Sequence, residues 1–213
     1  MKKLGILTLA ILIGLSSCKK DKNNNSMLEV FSITGTASSV LYGTGITEGN
    51  RTAKAFVDLK QKKVYTIDEA LNHQSDLNFV FASSYYAGTN INQQARHLMV
   101  SSLNNGNAWH TNTGDRTLAE FGVRTECYFY YLSSDDLPNF ADLQSKQQLD
   151  ELFAKLKPEH ARQLTNCNEV NPNSNSVFNL AFKTHQGKRG VFRMTNYIPD
   201  KPFNYTIEVR MEK

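Results

Sequence analysis

From Phe178 to the C-terminus the side chains alternate in polarity with a period of two, and this constrains the fold more than any other feature of the sequence. Phe178, Leu180 and Phe182 alternate with polar or small residues, Gln186-Gly187 turns the chain, and Val191 to Ile198 runs back. Pro199 to Pro202 makes a wider turn. Tyr205, Ile207, Val209 and Met211 then point one way and Thr206, Glu208 and Arg210 the other. Successive side chains of a strand project to opposite faces, so a run of this kind has one face buried and one in water. Three such runs joined by turns predict an antiparallel meander.

The same signal recurs upstream. Leu28 to Thr34 reads as a strand. Ala55, Val57 and Leu59 alternate with Phe56, Asp58 and Lys60, and a turn at Gln61-Lys62 leads to Val64-Tyr65. Asp76 to Tyr86 places Leu77, Phe79, Phe81 and Tyr85 on one face and Val80 and Ala82 on the other, the pattern of a strand buried on both sides. His97 to Ser101 is a further short strand, and Val123 to Leu132 is strongly β-prone. Helical signals are few. Thr66-Ile67-Asp68-Glu69 is a capping box that opens a short helix near 67–71. Leu149, Leu152, Phe153 and Leu156 follow the i, i+3, i+4, i+7 pattern in a helix over about 142–157, limited by Pro158. The expectation is a mainly β protein: two packed antiparallel sheets, one substantial helix and one short one, in a single domain over 28–213.

The N-terminus predicts an address. Met1-Lys2-Lys3, an apolar run from Leu4 to Leu15 and then Ser16-Ser17-Cys18 have the three parts of a secretory signal peptide over 1–17. The run is shorter than the ~20 residues that a membrane-spanning helix needs. Leu15-Ser16-Ser17-Cys18 resembles the bacterial lipobox. That resemblance implies a diacylglyceryl group on the Cys18 thiol, cleavage before Cys18, and attachment to the membrane through lipid. Lys19, where an Asp would favour inner-membrane retention, points to the outer membrane, at its periplasmic face or the cell surface. Residues 18–27 are polar and read as a tether.

Composition excludes several classes. The chain of 213 residues carries 24 basic and 20 acidic side chains, well mixed, so no basic run offers a nucleic-acid footprint. The histidines His73, His97, His110, His160 and His185 form no HxH or HExxH pair, so spacing supports no metal site. Phosphate-loop, dinucleotide-binding and nucleophile-elbow motifs are all missing, and nothing brings Asp135-Asp136 or Glu120 and Glu126 together as a catalytic pair. The reading is a non-enzyme. With Cys18 lipidated, Cys127 and Cys167 remain. They are either a disulfide closing a loop of about 40 residues, which stabilises by roughly 4 kcal/mol, or two buried thiols.

Two stretches carry a resemblance to known proteins. The first is Ala55-Phe56-Val57-Asp58-Leu59 with Lys63-Val64-Tyr65-Thr66, Glu69-Ala70 and the strand from Asp76 to Phe81. The second is Phe182-Lys183-Thr184 with Gly187-Lys188-Arg189-Gly190 and the closing Tyr205 to Arg210. Both resemble the β-rich surface lipoproteins of Bacteroidetes and, more distantly, the HmuY-type haem-binding lipoproteins. The resemblance implies a binding role and haem as one candidate cofactor, without placing axial ligands. From the residues themselves, Trp109-His110 in the polar stretch from Ser101 to about Arg116 is the candidate binding element. Trp109 either stacks on a porphyrin or a sugar or folds back over a sheet edge. His110 can ligate iron, with His97, His160 or Met99 as a second ligand. The expected partners are therefore the membrane, a small-molecule or glycan ligand and an outer-membrane receptor. The alternative is a structural or interaction module with no small ligand.

Overall fold

The computed structural model describes residues 26–42, 52–86, 96–105, 120–167, 179–198 and 203–213. Among the described residues ten strands form two largely antiparallel sheets packed face to face, as the alternation predicts. The first sheet contains the C-terminal meander β8 (Asn179–Thr184), β9 (Arg189–Ile198) and β10 (Phe203–Met211). It is flanked by β6 (Cys127–Leu132) beyond β8 and by the first part of β1 (Glu29–Tyr42) beyond β10. The second sheet runs β3 (Lys63–Tyr65), β2 (Phe56–Asp58), β4 (Phe79–Tyr86), β5 (Arg96–Ser101) and β7 (Leu164–Asn166).

Strand β1 belongs to both sheets. Glu29 to Ala37 pairs antiparallel with Met211 to Phe203, and Ser38 to Tyr42 then pairs parallel with Ala82 to Tyr86 of β4. It takes the position along β4 that β2 leaves after pairing with Phe79 and Val80. Gly35 sits where β1 passes under the chain at Lys54. A Cβ there would overlap the Tyr205 hydroxyl and the Lys54 carbonyl oxygen, so only glycine permits the close approach.

Three hydrophobic clusters follow from the strand period. The core between the sheets contains Val57, Phe79, Phe81 and Leu98 from the second sheet and Phe129, Phe182, Phe192 and Ile207 from the first. The opposite face of the second sheet, with Phe56, Val80 and Ala82, is covered by Ile67 and Ala70 of helix α1 (Ile67–Ala70) and by Leu103 and Phe121. The opposite face of the first sheet, with Ala181 and Val191, is covered by Leu149 and Leu152 of helix α2 (Lys146–Lys155) and by Phe140. The Phe140 ring meets the guanidinium groups of Arg193, 4.7 Å from its ring centre, and Arg210, 5.1 Å away.

Both predicted helices are present. Thr66 caps α1, with Glu69 reaching back to close the box. Helix α2 begins at Lys146, later than the residue 142 expected, because Ser145 and Gln148 form a second capping box and Phe140–Asp142 is a separate 3-10 turn. The β-prone run from Val123 also starts late. Val123 is exposed, Thr125 is buried by its bond to the Leu77 carbonyl oxygen (2.6 Å), and pairing begins only at Cys127. Leu77, expected on the face of Phe79 and Phe81, packs in the other cluster because it precedes the strand and escapes its alternation.

Candidate functional site

The free edge of β6 organises the candidate site. After α2, Pro158–His160 makes a 3-10 turn, with Pro at a position where its missing N–H costs nothing. The chain then bridges the β6 backbone at one residue pair. Phe129 N–H donates to the Arg162 carbonyl oxygen (2.8 Å) and Arg162 N–H to that of Phe129 (2.9 Å). Two residues later it enters β7 and pairs with β5 of the other sheet. Residues 158–166 thus stitch the edge of one sheet to the edge of the other, and an open groove lies on each side of the stitch.

The first groove has a volume of about 630 Å³ and is lined, among the described residues, by Met99, Tyr131, His160, Arg162, Leu164 and Thr165. Met99 lies in the buried middle of β5, whereas His160 and Tyr131 are exposed. The Arg162 guanidinium is steadied from its own segment, donating to the carbonyl oxygens of Glu159 (2.9 Å) and Ala161 (3.0 Å). A thioether, an imidazole, a phenol and a guanidinium therefore face one opening whose floor is Met99 and Leu164. Such a set can meet a flat apolar body and an anionic edge, and two of its members can ligate iron.

The second groove, about 620 Å³, lies between Pro158 and Ala161 on one side and Tyr128, Tyr130, Lys183 and His185 on the other. Burial, and then the neighbouring Tyr128, push the Tyr130 phenol above its ordinary pKa, and the Tyr130 ring packs edge-on against Phe153 at 6.1 Å. Tyr130 therefore belongs partly to the packing of α2, while Tyr128 shares its hydroxyl with Glu126 (3.4 Å) and Gln163 (3.5 Å).

The residues singled out from sequence fall in different places. Cys18, Trp109 and His110 lie outside the described residues. His97 is in β5 opposite Ser84, whereas Met99 and His160 line the same groove. Cys127 and Cys167 are both buried free thiols in the core between the sheets. Burial pushes both thiols well above their ordinary pKa, which keeps them protonated and unreactive as nucleophiles. Asp136 is engaged in its own turn, accepting from Ser133 N–H (2.9 Å) and Oγ–H (2.6 Å), which lowers its pKa. Among the described residues no three metal-ligating side chains converge, and no helix is long and apolar enough to cross a membrane.

Four residues of the first groove, Tyr131, Arg162, Leu164 and Thr165, were not foreseen. The period of β6 assigns Tyr131 to the buried face with Cys127 and Phe129, yet it is 47% exposed because the strand ends over the groove and not over the opposing sheet. Arg162 carries no sequence signal, since its place depends on a single bridge to Phe129. No family model, no curated protein and no solved structure matches this chain.

Proposed function

We propose that this protein is a lipid-anchored binding lipoprotein of the outer membrane, held through Cys18, that captures a small ligand in the groove beside β6. One observation carries the reading: Met99 and His160 line a single opening together with Tyr131 and Arg162. The chemistry fits a flat, partly apolar molecule with an acidic edge, for which haem is the first candidate. His160 and Met99 offer imidazole and thioether to iron, Leu164 a wall and Arg162 a partner for a propionate. Trp109 and His110 are further candidates for the same role.

Hemin titration of the chain lacking residues 1–18, followed in the Soret band, tests this. The expected result is a shifted, saturable band that weakens in His160→Ala and Met99→Leu. If only His110→Ala abolishes it, the ligand lies elsewhere. If the curve equals that of free hemin, haem is excluded. The anchor has its own test: Cys18→Ala leaves the protein out of the membrane fraction, and a variant that still partitions with membranes contradicts the lipid attachment.

The second reading, an interaction module without a small ligand, is favoured by the openness of both grooves and by the tyrosines of β6, since Tyr is a frequent anchor at protein interfaces. A negative hemin titration together with receptor capture that depends on Tyr128 and Tyr131 would give this reading the lead.

A further inference from the structure

We propose that the cavity at one end of the sandwich, bordered by the β2–β3 turn, the β8–β9 turn and the end of β10, binds a short aliphatic carboxylate. The cavity has a volume of about 280 Å³. Ligand pockets usually begin near ~300 Å³, so the guest is small. Leu59 and Met211, both members of the core between the sheets, form its apolar floor.

The polar lining points to an anion. Thr184 follows Leu180 and Phe182 at the strand period, so its side chain faces the interior. It is only 5% exposed, and its hydroxyl has no hydrogen-bond partner. Native proteins rarely leave such a group unpaired unless a water or a ligand meets it. Asn78 is 2% exposed, and its side-chain oxygen accepts from Leu59 N–H at 2.8 Å. That bond fixes the amide orientation and makes the NH₂ the end that serves a guest. Lys60 and Lys188 bring ammonium groups to the rim. Lys188 Nζ donates one bond to the Lys213 carbonyl oxygen, which leaves further N–H donors on the same nitrogen.

The two side-chain carboxylates on the lining are committed to other partners, and the main-chain oxygen of Lys213, the third acidic group of the lining, is met by Lys188. Glu29 pairs with Lys62, and Glu212 with Arg189 at 2.6 Å and Lys146 at 3.5 Å. Among the described residues, the groups left without a partner that face the cavity, the Thr184 hydroxyl, the Asn78 amide NH₂ and the Lys60 ammonium, are donors over an apolar floor. A carboxylate head with a short alkyl tail satisfies both. Binding here is independent of the β6 groove, so a failed hemin titration leaves it standing.

The test uses the full chain in detergent, with methyl-labelled methionine, titrated with pentanoate. The Met211 methyl resonance, assigned through Met211→Leu, should move and saturate while that of Met99 stays. Thr184→Val removes the hydroxyl at nearly constant shape and should weaken binding roughly tenfold, the effect of one lost hydrogen bond. The double variant Lys60→Gln with Lys188→Gln should bind pentanoate no better than 1-pentanol. A Met211 signal that does not respond means that the cavity holds only water and overturns the proposal. Equal titration of wild type and Thr184→Val overturns it as well, as does equal binding of pentanol and pentanoate by the wild type.

Discussion

Between the two sheets the large aromatic side chains are mostly phenylalanines with essentially no exposed surface, whereas along β6 three of the aromatic positions are tyrosines, and Tyr131 keeps 47% of its surface in water. Both regions are β-strands rich in aromatic residues, and propensity alone does not separate them. The hydroxyl does. Phe79 meets four other rings, those of Phe81, Phe129, Phe182 and Phe192, with centroids 5.6 to 6.1 Å apart, and none of them needs a polar partner. A tyrosine in that position must find an acceptor. Tyr205 does so, donating to the Lys54 carbonyl oxygen at 3.3 Å while fully packed beside Phe81. The tyrosines of β6 instead line the two grooves, where the Tyr128 hydroxyl is shared with Glu126 and Gln163 at the surface. The difference separates a dry, closely packed part of the molecule from a half-exposed part that borders open grooves.

The largest effect that this contrast predicts is on the core. Phe79→Ala removes the ring at the centre of the cluster and should cost about 3–5 kcal/mol, seen as a large fall in the denaturant midpoint. A loss under 1 kcal/mol would mean that the core is not packed as described. Next comes the ionic seam that ties α2 to the first sheet, where Arg189 bridges Asp150 and Glu212. Burial opposes the charge on Glu212, but the bonds from Arg189 outweigh it and hold the carboxyl below its ordinary 4.5. A carboxyl lowered in the folded state stabilises fully above its unfolded pKa, and that contribution is lost as pH falls through the lowered value. Glu212→Gln should therefore cost about 1–2 kcal/mol at neutral pH, and the gap to wild type should close as the solution is acidified below the ordinary glutamate range. A gap independent of pH would remove the seam from the account.

Smaller still is the cap of α2. Ser145→Ala should destabilise by about 1 kcal/mol, because the hydroxyl satisfies Gln148 N–H at the first turn. At the bottom of the scale, Tyr131→Ser should change stability by no more than about 0.5 kcal/mol. A destabilisation comparable to that of Phe79→Ala would place Tyr131 in the core and erase the contrast.

How far the sequence predicts this structure depends on the range of each interaction. The meander from Asn179 to Met211 and the Thr66 capping box depend on neighbours in the chain or one turn away, and both are plain from the residues alone. The start of α2 is local too, since Ser145 and Gln148 have the spacing of a capping box, but the apolar stripe is a weaker guide to a boundary than the cap. The double membership of β1 is not legible, because nothing in Glu29 to Tyr42 records that Phe203 to Met211 and Ala82 to Tyr86 lie on either side of it. The groove is the least legible part. Met99, Tyr131 and His160 come from separate strands and a turn, and the bridge between Phe129 and Arg162 together with the pairing of β7 on β5 brings them to one opening.

Amide hydrogen exchange with and without hemin tests most directly whether that opening is the binding site. Bound hemin should slow exchange in β6 over residues 127–132 and along the stitch over residues 160–166, with little change at the covered face around Ile67 and Ala70. Protection confined to segments away from β6 and the stitch, or no protection at saturating hemin, would contradict the assignment of the site.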